Sequence, residues 1–132
     1  MRGILVDTGP LYAAYDSSDR YHTRAQQELI VLSQQCLPII LIYPVLAECH
    51  NLLLKRFGTE VGLGFLQDMK TGTILLSPEP EDYDAGIKSL QNYIDQTITL
   101  CDATIAAVSR RLKLSTWTYD FHFDVMRCQV WR

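Results

Sequence analysis

The sequence predicts a three-layer α/β/α fold with a central, mainly parallel sheet of about four to five strands. Short uninterrupted apolar runs such as Ile4-Leu5-Val6 and Ile39-Ile40-Leu41-Ile42 alternate along the chain with segments of helical period. Continuous apolar runs belong to strands buried on both faces, and a strand–helix–strand order closes such strands into a parallel sheet covered by helices. The 132 residues, 48% of them hydrophobic and 20% charged, contain no Gly/Ser-rich linker and no repeat, so residues 1–132 are expected to form a single domain with one core.

Ile4 to Val6 reads as the first strand, ended by the turn signal Asp7-Thr8-Gly9-Pro10. Thr8 to Tyr15 follows as a short helix and Asp16 to Asp19 as a polar loop. His22 to Gln34 carries Ala25, Leu29 and Leu32 at helical spacing. Ile39 to Ile42 is the second strand. Pro44 then suits the first turn of a helix running to Phe57, with Gly58 as its cap. Thr59 is expected to cap a further helix to Lys70, Thr73 to Leu76 to form the third strand, and Pro80 to Ile94 an amphipathic helix. Thr99 to Leu112, rich in Ala, Ile and Val, is the last long helix, and Ser115 to Tyr119 the fourth strand.

Composition narrows the function. The net charge of −3 argues against a protein that grips nucleic acid through a basic surface. Cations bound by a carboxylate cluster would reverse that sign locally, and the basic pairs Lys55-Arg56 and Arg110-Arg111 could add backbone contacts. Leu37 to Ala47 is the longest apolar stretch, but Pro38 and Pro44 break it and it is too short to span a bilayer, so a cytoplasmic protein without a membrane segment is expected. Cys36, Cys49, Cys101 and Cys128 form no C-x-x-C pair and read as reduced, mostly buried thiols. His22, His50 and His122 lack metal-ligand spacing, and no glycine-rich phosphate loop is present. Gly9 occupies the position at which a haloacid-dehalogenase-type phosphatase needs a second aspartate. Tyr12, Tyr15 and Tyr21 suit helix packing better than base stacking.

Four acids stand where acids are costly. Asp7 follows the first strand, at the sheet edge where α/β proteins bind ligands, and either caps the next helix or holds a cation. Glu48 shares a helix face with Val45 and Leu52, so burial beside that stripe would call for a cationic partner, Lys55 or a metal. Asp102 completes a Thr99-x-x-Asp102 capping box, which leaves one oxygen for a cation. Asp120 follows the fourth strand, with Asp124 four residues on as its substitute or support. Four carboxylates meeting at one edge need compensating charge, and oxygen-only ligation selects Mg²⁺ or Mn²⁺.

Val6-Asp7-Thr8-Gly9-Pro10-Leu11, Val45-Leu46-Ala47-Glu48, Cys101-Asp102-Ala103-Thr104 and Thr118-Tyr119-Asp120-Phe121-His122-Phe123 resemble, in order and over essentially the whole chain, the acidic motifs of PIN-domain proteins. The resemblance is closest to the VapC-type toxin ribonucleases of bacterial VapBC toxin–antitoxin pairs. It implies Mg²⁺- or Mn²⁺-dependent hydrolysis of RNA to products with a 5′-phosphate and a 3′-hydroxyl. It gives Asp7, Glu48, Asp102 and Asp120 the metal and catalytic positions, with Thr8, Thr104 and Asp124 in support. It further implies a homodimer and a small antitoxin partner. Cys101 and Phe121 depart from the usual pattern. The alternatives are a PIN-like module that binds RNA or protein without cutting, and a metal-dependent phosphatase or DNA nuclease.

Overall fold

The computed structural model describes residues 1–132. Four parallel strands, β1 (Ile4–Val6), β2 (Ile39–Ile42), β3 (Ile74–Leu76) and β4 (Ser115–Trp117), lie in the order β3-β2-β1-β4. The C-terminal segment adds a parallel bridge between Thr116 and Val130 along β4, with Thr116 N–H donating to Gln129 O and Trp131 N–H to Thr116 O, both at 2.9 Å. The expected four to five strands are thus four and one bridge. β1 is buried throughout and β2 nearly so, as apolar runs without alternation require.

Seven helices join the strands: α1 (Thr8–Tyr15), α2 (His22–Gln34), α3 (Tyr43–Phe57), α4 (Thr59–Gly72), α5 (Pro80–Asn92), α6 (Leu100–Leu112) and α7 (His122–Val125). α1 packs on α2 and α3, α3 on α4, and α5 on α6, giving two helical sets for the two faces of the sheet. Twenty-four buried apolar residues form one core cluster, from Ile4 in β1 to Cys128.

Local chemistry explains most boundaries. Asp7 caps α1, Pro44 lies in the first turn of α3, and Gly58 ends α3 at φ 95°, which a side chain would strain. Two expectations need correction. Thr59 makes no cap, because Gly58 is both the last cap of α3 and the first of α4. The other is an omission: the short helix α7 follows the last element read from the sequence, since four residues carry no period.

The pair Arg110-Arg111 also differs from expectation, being committed to the fold. Arg110 Nη1 donates to Met126 O at 3.2 Å. Arg111 makes a bidentate ion pair with Asp82, both contacts 2.8 Å, and joins α6 to the first turn of α5. Asp82 is buried and also accepts the Glu79 N–H, and the Arg111 hydrogen bond holds its carboxyl below the ordinary range. Arg111→Ala should lower stability by about 1–3 kcal/mol at neutral pH, less than for a fully buried pair because the Arg111 side chain is 38% exposed. A depressed carboxylate contributes above its unfolded pKa, so this difference should fade as pH falls through the acid range. Urea denaturation at several pH values measures both; a change below about 0.5 kcal/mol at pH 7 contradicts the assignment.

Candidate active site

The carboxyl edge of the sheet positions the acids. Strand order reverses beside β1, whose neighbours are β2 on one side and β4 on the other, and a crevice opens at such a switch point. Asp7 leaves β1 into this crevice. Thr118 to Asp120 leave β4, Glu48 stands on the second turn of α3, which starts directly from β2, and Asp102 lies in the first turn of α6. A cavity of about 450 Å³ brings the four together, lined also by Thr8, Asp19, Tyr12, Tyr21, Thr99 and Tyr119 among others. Its lining holds five carboxylates and no Lys, Arg or His.

Asp7 is 6% exposed. Its Oδ1 accepts the Thr8 N–H and its Oδ2 accepts the Thr118 hydroxyl, each at 2.8 Å. Both bonds favour the ionised form, yet burial and then the charge of Asp102 outweigh them and push its pKa up to about 7. Asp102 is also raised, chiefly by burial; its bonds with Thr99 oppose this, while Asp120 and Glu48 add repulsion. The Asp102 N–H donates to Thr99 Oγ1 at 3.1 Å and the Thr99 N–H to Asp102 Oδ2 at 3.4 Å, so the expected capping box is present.

Asp120 is half-buried, with its N–H donating to Thr118 Oγ1 at 3.0 Å. Its Oδ1 accepts the His122 N–H and lies 2.9 Å from His122 Nδ1, which has no hydrogen-bond partner. No Lys or Arg pairs with Asp7, Glu48, Asp102 or Asp120.

Three expectations change here. Glu48 is exposed, because the buried stripe of α3 runs through Val45, Cys49 and Leu53 and leaves Glu48 at its margin. It reaches the cavity from the solvent side, so burial does not force a partner on it. Asp124 lies outside the cavity, paired with Arg132 at 2.9 and 3.1 Å. Thr104 is fully buried and its hydroxyl donates one turn back to Leu100 O at 2.7 Å, which leaves it no contact with a ligand.

Cys101 is half-buried beside Glu48, and burial followed by the Glu48, Asp7 and Asp102 charges raises its thiol far from reactivity. Thr118, which orients Asp7 and supports the Asp120 backbone, escaped sequence reasoning. Only the pairing of β1 with β4 brings residues 111 positions apart into contact.

No three His, Cys, Asp or Glu side chains converge tightly enough to form a ready-made ion cage. The donor set nonetheless suits a hard divalent cation: oxygen ligands only, two carboxyls raised by burial, and a buried Thr8 Oγ1 with no partner beside them.

The same architecture recurs in solved structures. Mycobacterium tuberculosis VapC20, a toxin that cleaves the sarcin-ricin loop, superposes with a TM-score of 0.84 at 21% identity, covering 98% of this chain and 99% of that one. This is the PIN fold of VapC toxins. VapBC2 from Rickettsia felis, bound to a DNA fragment from its promoter, gives 0.74 at 15% identity over 96% and 95% of the two chains. A toxin–antitoxin complex from Klebsiella pneumoniae gives 0.67 at 17% identity over 90% and 88%. No family model matches the sequence, and no curated protein does. The same fold is therefore carried here by a sequence only 15–21% identical to those of these structures. No helix of this VapC-fold chain is long and apolar enough to cross a membrane.

Proposed function

We propose that this chain is an endoribonuclease that hydrolyses RNA phosphodiester bonds with Mg²⁺ or Mn²⁺, and that it is the toxin of a toxin–antitoxin pair. One observation carries the reading: a buried carboxylate, Asp7, without a cationic partner, lies in a cavity with three further acids of matching order, at the ligand-binding edge of a VapC fold. Asp7, Asp102, Asp120 and Glu48 would hold the ion, Glu48 reaching in from the solvent side. A bound ion supplies positive charge against the phosphate oxygens and a lowered pKa for the attacking water.

The protein's own groups fix the arrangement. Thr8 N–H and Thr118 Oγ1 hold the two oxygens of Asp7 in place, and Thr118 also ties the Asp120 backbone to Asp7. The Thr8 hydroxyl, which has no partner within the chain, would donate to a phosphate oxygen or to water. Products would carry a 5′-phosphate and a 3′-hydroxyl. A small antitoxin covering the acidic cavity, a homodimer, a single functional unit over residues 1–132 and action in the cytoplasm complete the proposal; the Rickettsia and Klebsiella neighbours, both toxin–antitoxin assemblies, support the partner.

Incubating purified protein with total tRNA and ribosomal RNA in Mg²⁺ or Mn²⁺ tests the reading. Cleavage that EDTA stops is expected, and intact RNA under both metals counts against it. The spread of the acids favours a second reading, a non-cleaving module that binds RNA or protein. Calorimetric titration with Mn²⁺ separates the two, since a chain that takes up no ion cannot run this chemistry.

Asp120 and Asp124 should behave unlike each other. Asp120→Asn is expected to cut the rate by about 100-fold or more, whereas Asp124→Asn, which loses only a surface pair with Arg132, should stay within about three-fold of wild type. Initial cleavage rates decide it, and equal losses would reverse the assignment.

A further inference from the structure

Two tyrosines and two arginines form a continuous strip on the rim of the acidic cavity. Tyr21, in the turn before α2, and Tyr119, just beyond β4, have ring centroids 4.7 Å apart and tilted by 39°. The Arg20 guanidinium sits 4.6 Å from the Tyr21 ring centre and the Arg24 guanidinium 4.4 Å from that of Tyr119. Both rings line the cavity. Tyr119 is anchored from below: its hydroxyl donates to Glu28, which also accepts Trp117 Nε1–H at 3.2 Å. Arg20 and Arg24 are exposed; Arg20 has no carboxylate partner, and Arg24 approaches Glu28 only at 3.4 Å.

Beyond Tyr119 opens a second cavity of about 170 Å³, which shares Tyr119 and Asp120 with the first. Arg24, Arg132 and Phe121 line it, and Phe121 is 64% exposed. The strip therefore bridges an acidic cavity without cations and a smaller one that sets Arg24 and Arg132 beside Asp120 and Asp124, with Arg132 paired to Asp124.

We propose that this strip is the subsite that seats an unpaired RNA nucleotide next to the bond to be cut, its base on the Arg20 and Arg24 planes and its flanking phosphate on their N–H groups. The inference rests on the ribonuclease reading above. Ions held by the acids can neutralise only the phosphate that reacts; the next phosphate along the strand needs protein cations, and the acidic cavity offers none. A guanidinium over an aromatic ring can stack on a base and bond a phosphate at once, which a lysine cannot do. Stacking requires an unpaired base, so a duplex should gain little.

The test uses the full chain in EDTA, where cutting is stopped, with a fluorescein-labelled ten-nucleotide unpaired RNA and the same sequence in a duplex, read by anisotropy. The unpaired strand should bind at least about 10-fold tighter. Arg20→Ala and Arg24→Ala should each weaken it by about 5- to 20-fold and lower the salt dependence by about one phosphate contact. Arg20→Lys should keep the salt dependence and still lose affinity, while Tyr21→Phe should stay within about two-fold. Arg20 makes no hydrogen bond or ion pair in the fold, so its variants keep the test valid even if Arg24→Ala disturbs Glu28.

Arginine variants that bind the unpaired strand like wild type, an equal loss on the duplex, or no wild-type binding even beyond the non-specific range near 10⁻⁴ M joined to an unchanged KM of Arg20→Ala with Mg²⁺ or Mn²⁺ would overturn the subsite. With Mg²⁺ or Mn²⁺ present, Arg20→Ala should raise KM with kcat held within about three-fold. Binding through the arginines without cleavage under either metal would leave the subsite standing and remove the ribonuclease reading. Cleavage with an unchanged KM in Arg20→Ala would do the reverse.

Discussion

Asp7→Asn is expected to abolish RNA cleavage, by about 10³-fold or more, while making the metal-free protein more stable at neutral pH. The activity loss follows from removing the most buried charge of the proposed ion site, where metal stabilisation of the transition state amounts to several kcal/mol. The stability gain follows from burial. Asn still accepts the Thr8 N–H and remains a good helix cap, and its amide N–H would donate to Thr118 Oγ1 in place of the bond that Asp7 Oδ2 accepts, so the exchange removes the charge and reverses one hydrogen bond.

The folded pKa of Asp7, pushed up to about 7 from 3.8, lies above its unfolded value. The folded state therefore keeps a proton that the unfolded state has released, and stability declines as pH rises from about 4 to about 7. That rise in pKa corresponds to at most about 4 kcal/mol, which Asp7→Asn should recover at pH 8 and not at pH 4. Urea denaturation with EDTA across that range measures it. Mn²⁺ should raise the Tm of wild type and leave that of Asp7→Asn unmoved. An Asn variant less stable than wild type at pH 8 would make Asp7 a structural cap first.

Asp102→Asn should reduce cleavage by about 10²- to 10³-fold with little change in stability. The residue serves two masters: one oxygen closes the capping box with Thr99, and its carboxyl, whose pKa is raised by burial and by the charges of Asp120 and Glu48, faces the shared cavity. Asn keeps an oxygen for the Thr99 N–H, so the cap survives and the charge goes. Thr99→Ala is the control. It should cost about 1 kcal/mol of stability through the lost cap and reduce cleavage far less than Asp102→Asn. Paired melts and rates on the two variants separate the roles; a larger activity loss in Thr99→Ala would mean that the helix start matters more than the charge.

Local and long-range features of this protein separate along physical lines. The elements α1, α2 and β2 lie where apolar runs, helical spacing and turn residues place them, because those signals are local and act within a few residues. Asp7 and Asp120 were found by the same means, as polar residues directly after apolar strands, and the Thr99–Asp102 box by its three-residue spacing. Glu48 becomes a candidate in the sequence for a reason the fold does not support. The helical wheel locates a stripe to within about one residue, and the true stripe through Cys49 turns Glu48 outward into the cavity mouth.

By itself, the sequence determined the parallel α/β layout and the candidacy of the four acids, since strand burial and strand-end polarity are written in consecutive residues. Tertiary structure alone decided the rest. Pairing β4 beside β1 brought Thr118 onto Asp7, packing α5 on α6 claimed Arg111 for Asp82, and the C-terminal segment drew Asp124 away to Arg132. Each of these contacts joins residues that only chain closure makes neighbours, so no local pattern encodes which acid is paired, which is capped and which faces the cavity uncompensated.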